Sequence, residues 1–210
     1  MRDTTIAILD YGMGNLRSVQ KALERVGAEG AITGDASVAR EAHGVILPGV
    51  GAFPHAMSRV REAGLDALVA DRAQAGVPVL GICLGMQLLF EGSTEHGSAA
   101  GIGLLRGDVT GLDAPSLKVP HMGWEPVRWE RESELVAGLA TDTPFYFVHS
   151  FAVRPAEDGD ILGTAEWSER LACAIERPPI YGVQFHPEKS SIAGLRILGN
   201  FAEICASVPA

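Results

Sequence analysis

Val77-Pro78-Val79-Leu80-Gly81-Ile82-Cys83-Leu84-Gly85-Met86-Gln87 reads as a central strand running directly into a helix, with Cys83 at the corner. The first half is an unbroken apolar run, as expected of a strand buried in a sheet. From Leu84 to Phe90 the pattern turns helical. A strand-to-helix corner of this kind is the geometry of a nucleophile elbow, with cysteine where a hydrolase carries serine. Gly81 and Gly85 leave room for a turn tight enough to expose the side chain. The free N–H groups and positive end of the following helix would aim at the sulfur and favour the thiolate. Taken alone, Gly81–Gly85 suits a buried structural cysteine equally well. The apolar stretch from Val77 to Phe90 falls short of the ~20 residues of a membrane span and is broken by Pro78, Gly81, Gly85 and Gln87, so it reads as core.

Outward from this stretch the chain alternates short apolar runs with helical patterns, the signature of an α/β sheet. Strands are expected over Thr5–Asp10 and His43–Leu47, and helices over Leu16–Val26, Phe53–Ala63 and Leu65–Ala75. After about Gly97 the texture becomes richer in glycine and proline. Strand candidates there are Gly103–Thr110, Phe145–Phe151, Asp160–Trp167, Leu171–Ile175 and Ile180–Phe185. A final helix, Ser190–Cys205, should bury Ile192, Leu195, Leu198 and Phe201. With no repeat, low-complexity tract or linker, residues 1–210 are expected to form one domain.

Composition narrows the function classes. The 17 Lys and Arg against 26 Asp and Glu give a net charge of −9 without a basic stripe, which disfavours nucleic acid and anionic membranes as partners. Three scattered cysteines, Cys83, Cys173 and Cys205, argue against a disulfide framework and a zinc site and for a reducing compartment. The N-terminus has an early acidic residue and no apolar h-region, so a cytoplasmic protein without a signal peptide is expected.

A cysteine nucleophile needs a base. His43, His55 and His96 read as surface or capping residues. His121 and His149 suit a pocket wall, but neither has a carboxylate two residues away. His186 does, in Gln184-Phe185-His186-Pro187-Glu188. In an extended segment residues i and i+2 point the same way, so Glu188 reaches the imidazole and fixes its tautomer. Pro187 holds the segment out of helix. Oxyanion donors are expected from the N–H of Leu84 and from Pro48-Gly49-Val50-Gly51, with Val50 in the middle. Gly12-Met13-Gly14 lacks the third glycine of a dinucleotide fingerprint, since position 17 is Arg17, so no cofactor site is expected. No metal site is expected either.

With these residues in hand, the chain resembles the class I, triad-type glutamine amidotransferases along nearly its whole length. Gly81-Ile82-Cys83-Leu84-Gly85-Met86-Gln87 and Gln184-Phe185-His186-Pro187-Glu188 carry the likeness. Asp10–Ser18, Pro48–Phe53, Pro120–Trp124 and Phe147–Ser150 resemble the branch whose glutaminase subunits serve histidine biosynthesis. Two departures stand out: Glu125 where the family usually has Asn, and Phe151 where related chains often have Tyr. The resemblance implies a three-layer, flavodoxin-like α/β/α fold with a mostly parallel central sheet. It implies a Cys83–His186–Glu188 triad, and glutamine held by Gly51, Gln87, Glu95 and the His149-Ser150-Phe151 backbone. It further implies a heterodimer, in which ammonia passes to a (β/α)8-barrel cyclase subunit making imidazole glycerol phosphate and aminoimidazole carboxamide ribonucleotide. Asn15, Pro120, Met122, Trp124 and Tyr146 are the implied wall facing that partner. Another class I amidotransferase subunit, a stand-alone cysteine hydrolase and a non-catalytic binding module remain the alternatives. An intact Cys83, His186 and Glu188 weigh against the last.

Overall fold

A computed structural model describes residues 4–208; the signal-peptide expectation concerns a terminus whose residues 1–3 lie outside them. The first half of the chain alternates as expected, with one strand and one helix more between Val26 and His43 than the sequence reading placed. It runs β1 (Thr5–Leu9), α1 (Leu16–Arg25), β2 (Glu29–Thr33), α2 (Ala36–Glu41), β3 (Gly44–Gly49), α3 (Phe53–Glu62), α4 (Leu65–Gln74), β4 (Val79–Cys83) and α5 (Leu84–Leu88). The second half supplies β5 (Phe90–Ser93), β6 (Ala99–Ala100), β7 (Leu105–Gly111), β8 (His121–Trp129), β9 (Thr143–His149) and β10 (Phe151–Pro155). It ends with β11 (Ile161–Glu166), β12 (Arg170–Arg177), β13 (Ile180–Val183) and α6 (Ser191–Ser207).

Nine strands form one mixed sheet in the order β2-β1-β3-β4-β13-β12-β11-β8-β9. The half from β2 to β13 is parallel, and the half from β12 to β9 is antiparallel. A smaller four-stranded sheet, β10-β7-β5-β6, was not expected from the sequence. Alternation along β1 shows how the layers are built: Ile6 and Ile8 join one buried cluster, Ala7 and Leu9 the other. The first cluster packs under α1 and α6, with Leu23, Leu198 and Phe201. The second packs under α2 to α5, with Phe53, Met57, Leu68 and Met86. Covering both faces is why β3 and β4 are apolar at every position. No helix of the described residues is long and apolar enough to cross a membrane.

Several expectations shift. The helix after Cys83 stops at Leu88, because Phe90–Ser93 leaves it to pair with β7. The single strand expected over Phe145–Phe151 is two, β9 in the large sheet and β10 in the small one, divided at Ser150. In α6 the buried face runs through Gly194, Ile197, Leu198, Phe201 and Cys205, whereas Ile192 is 80% exposed and Leu195 only partly buried. Ile192 lies in the first turn, before the helix meets the core.

Candidate active site

The parallel strand order β2-β1-β3-β4-β13 collects catalytic groups at its carboxyl edge, where open α/β sheets bind their ligands. Register does the rest. Gly49 pairs with Cys83 across β3 and β4, and Val183 pairs with Ile82 across β13 and β4. Cys83 therefore stands level with the start of the Gly49–Gly51 loop on one side and with Gln184 on the other. Cys83 itself has φ 55° and ψ −115°, a strained conformation for a residue with a Cβ. The corner is held by close approach of the backbones: a Cβ on Gly85 would run into the Leu47 carbonyl oxygen. One on Gly49 would come 2.6 Å from the Tyr11 hydroxyl, which donates to the Pro48 carbonyl at 2.7 Å.

His186 follows β13 and is fixed by its own backbone. Its N–H donates to the Tyr146 carbonyl, 2.9 Å away, and its carbonyl accepts the Ser190 hydroxyl at 2.7 Å. A bare Cα at Gly194 lets α6 press against the Pro187 carbonyl and hold the turn that presents Glu188. The Glu188 carboxylate lies 2.9 Å from His186 Nδ1, and both side chains are almost wholly buried. The pairing expected from the sequence is present, but its geometry is not the extended one: Pro187–Lys189 form a 3-10 turn with Pro187 in its first position, and only His186 itself is extended. Burial pushes the imidazole down, but Cys83 and Glu188 outweigh it and bring its pKa up to about 9. Among the described residues His186 Nε2 has no hydrogen-bond partner. Cys173 and Cys205 are simply buried, and burial raises both thiols.

These groups line a cavity of about 260 Å³ together with Val50, Gly51, Leu84, Gln87, Glu95 and the segment Val148–Phe151. Every residue expected to catalyse, to form the oxyanion hole or to hold glutamine is thus in one wall, save Glu188, which stands behind His186. Val50 keeps an ordinary φ, and Gly51 takes the left-handed one, 93°. Glu95 also braces the fold, since one of its carboxylate oxygens accepts the Phe53 N–H at 2.7 Å and satisfies the start of α3 from across the pocket. Gln87 donates from Nε2 to the Phe151 carbonyl and to Gln184 Oε1, both at 2.9 Å.

The remaining histidines divide as the sequence suggested, with one addition. His55 and His96 are exposed, and His43 accepts the Thr5 N–H at the sheet edge. His149 lines the cavity, but His121 lies buried behind it. Because a carbonyl only accepts, the 2.9 Å contact of His149 Nδ1 with the Phe151 oxygen places the proton on Nδ1. His149 Nε2 is then the acceptor for His121 Nδ1–H at 3.0 Å. Glu125, the residue that departs from the family pattern, lies 3.5 Å from the far nitrogen of His121. Both ring nitrogens of His149 are therefore engaged by protein, and only its backbone is free to meet a ligand. Burial lowers the His149 pKa to about 4.

Sequence reading gave no role to Lys189 and Val148, which line the cavity, or to Tyr11, whose hydroxyl holds the Pro48 carbonyl. Lys189 follows the His-Pro-Glu motif directly and reaches over the Tyr146 ring at 5.9 Å. Of the expected partner wall, Met122 and Trp124 are 61% and 51% exposed on one face of β8, and Trp124 meets Tyr146 edge-on. Pro120 is also exposed, and Asn15 half-buried at the start of α1. No group of three or more His, Cys, Asp and Glu among the described residues is placed to hold a metal.

A strained cysteine elbow served by a His–Glu pair beside a polar pocket defines an amidotransferase-type site, and the family comparison agrees. The model of the class I glutamine amidotransferase family matches residues 7–204, and the chain belongs to that family. Its relatives narrow this to the subunits named imidazole glycerol phosphate synthase subunit HisH. The one from Moorella thermoacetica is 52% identical over 95% of this chain and 94% of its own length. The one from Geobacillus thermodenitrificans is 45% identical over 96% of each, and that from Aquifex aeolicus 46% identical over 92% and 94%. Among solved structures, one titled glutamine amidotransferase superposes with a TM-score of 0.75 at 21% identity, covering 96% of this chain and 98% of its own. PurLQS from Thermotoga maritima gives 0.72 at 17%, covering 97% of each. At those identities the structural likeness speaks for the fold alone.

Proposed function

We propose that the chain is the glutaminase subunit of imidazole glycerol phosphate synthase, one catalytic domain acting in the cytoplasm beside a (β/α)8-barrel cyclase. The observation that carries this reading is the buried His186–Glu188 pair brought to Cys83 at the mouth of one cavity. In the reaction the Cys83 thiolate attacks the side-chain amide carbon of glutamine. The Leu84 and Val50 N–H groups receive the charge that develops on the amide oxygen. His186, protonated and held by Glu188, gives its proton to the departing nitrogen, so ammonia leaves and a glutamyl thioester remains. His186 then takes a proton from water as the water attacks. The thiolate is expelled and glutamate is released. Gly51, Gln87, Glu95 and the His149–Phe151 backbone hold the substrate amino acid.

Ammonia then passes to the cyclase, which converts a phosphoribosyl-formimino aminoimidazole ribonucleotide to imidazole glycerol phosphate and aminoimidazole carboxamide ribonucleotide. Asn15, Pro120, Met122, Trp124 and Tyr146 form the docking face. The test is Cys83→Ala in the complex. Glutamine-dependent product should vanish, while added ammonium salts still support product formation. Glutaminase activity above about a percent of wild type would place the nucleophile elsewhere. Full-rate glutamine or peptide hydrolysis by the isolated chain would favour a stand-alone hydrolase instead.

A further inference from the structure

Gln184 has no part in the reaction as written, yet its side chain reaches the reacting atom from the strand beside Cys83. The Nε2 atom lies 3.6 Å from Cys83 Sγ, and the residue is 1% exposed. Which end of the amide faces the sulfur follows from the neighbouring groups. The Phe151 carbonyl only accepts, so the end of Gln87 that meets it is the NH2 group. That same NH2 group donates to Gln184, which must present its oxygen there. The nitrogen of Gln184 is then turned to the sulfur. Flipping either amide sets donor against donor or oxygen against oxygen.

Besides the protonated His186, the sulfur meets the Val148 carbonyl oxygen at 3.9 Å, an acceptor that does nothing for a thiolate. The element that follows Cys83 is only five residues long, little more than one turn, so its aligned peptide dipoles give a weak field. We propose that Gln184 is a catalytic residue whose side-chain N–H stabilises the Cys83 thiolate, both as the resting nucleophile and as the leaving group when the thioester is hydrolysed. The second role rests on the glutaminase reading; the first does not. The competing role is that of a strut, whose oxygen positions Gln87.

Gln184→Met separates the two, because it removes the N–H without adding charge and alkylation does not read the placing of Gln87; Gln184→Glu adds a charge to the same loss. It keeps an oxygen for Gln87 but sets a carboxyl group against the sulfur, where the acid and the thiol would share protons. In the full chain, the pH midpoint for alkylation of Cys83 by iodoacetamide, read by peptide mass spectrometry, should rise by about one unit or more, a tenfold loss of thiolate near neutrality. Gln184→Met should raise it as well, and in the complex both variants should lose kcat for glutamine in step. A wild-type alkylation profile in Gln184→Met would overturn the proposal and leave the strut. Without any substitution, the side-chain amide resonances of Gln184 should shift with the same midpoint as alkylation. Resonances indifferent to it would overturn the proposal equally. Alkylation needs no glutamine, so these readings judge Gln184 separately from the glutaminase reading, which stands or falls on glutamine turnover by the wild-type complex.

Discussion

His186 and His149 share one cavity wall yet titrate in opposite directions. His186 is raised to about 9 because Cys83 and Glu188 outweigh burial, and His149 is lowered to about 4 because burial dominates. The unfolded chain returns both to the ordinary value, near 6.5. Between pH 6.5 and 9 the folded chain holds more protons at His186, so that stabilisation is lost as pH rises. Between 6.5 and 4 the unfolded chain holds more at His149, so stability is lost as pH falls. Thermal melts across pH 4–9 should therefore crest near 6.5. His186→Ala should flatten the alkaline side and His149→Gln the acid side. An unchanged alkaline slope in His186→Ala would show that another group carries it. Glu188 was legible as the partner of His186 because it sits two residues away, although a 3-10 turn over Pro187–Lys189, not an extended segment, brings the two together. Glu125 sits four residues from His121 on one face of β8, across Gly123, a spacing that becomes legible only once the strand is known.

The elements around the site succeed through glycines placed where backbones touch. Gly85→Ala, with its Cβ against the Leu47 carbonyl, should destabilise by about 3 kcal/mol or fail to fold. Gly159→Ala, with nothing within 4 Å and an ordinary φ, should melt like wild type. A Gly85→Ala chain with wild-type stability would mean that α5 shifts freely. The loop after β3 should behave differently. Gly51 already carries its left-handed φ, and Val50, β-branched, resists one. If turning the Gly49–Val50 peptide completes the oxyanion hole, Val50→Gly should raise partner-free glutamine hydrolysis about tenfold or more and shrink activation by the partner. An unchanged basal rate would sink that account. Most of the parallel half was readable because β1, β3 and β4 are apolar runs separated by helices; β2, Glu29–Thr33, is a half-exposed edge strand and offered no such run. β8 and the split at Ser150 were not. β8 alternates buried His121 and Val127 with exposed Met122, Trp124 and Pro126, interrupted by Gly123, and its role depends on pairing with β9 some twenty residues on.

Across the whole molecule, one edge bears both the cavity and the exposed Met122 and Trp124 of the proposed docking face. Trp124, half exposed and braced by Tyr146, has the makings of an anchor for a partner. Trp124→Ala should weaken binding of the cyclase at least tenfold, by calorimetry, and leave the melting temperature within about a degree, because the side chain contributes little to the core. Unaltered affinity would move the interface elsewhere. The proposed docking face rests on resemblance. Burial was not readable there, since a surface tryptophan and a core tryptophan look alike in a string of residues.

The division at Ser150 has a mechanical consequence. β9 carries Tyr146 beside the docking face and ends at His149 in the cavity, and one residue later the chain enters the other sheet. No slack loop separates the three. A partner that tilts the β8–β9 ribbon works a short, stiff crank whose pivot is Ser150, and the throw of that crank is delivered to the peptide groups against which glutamine would lie.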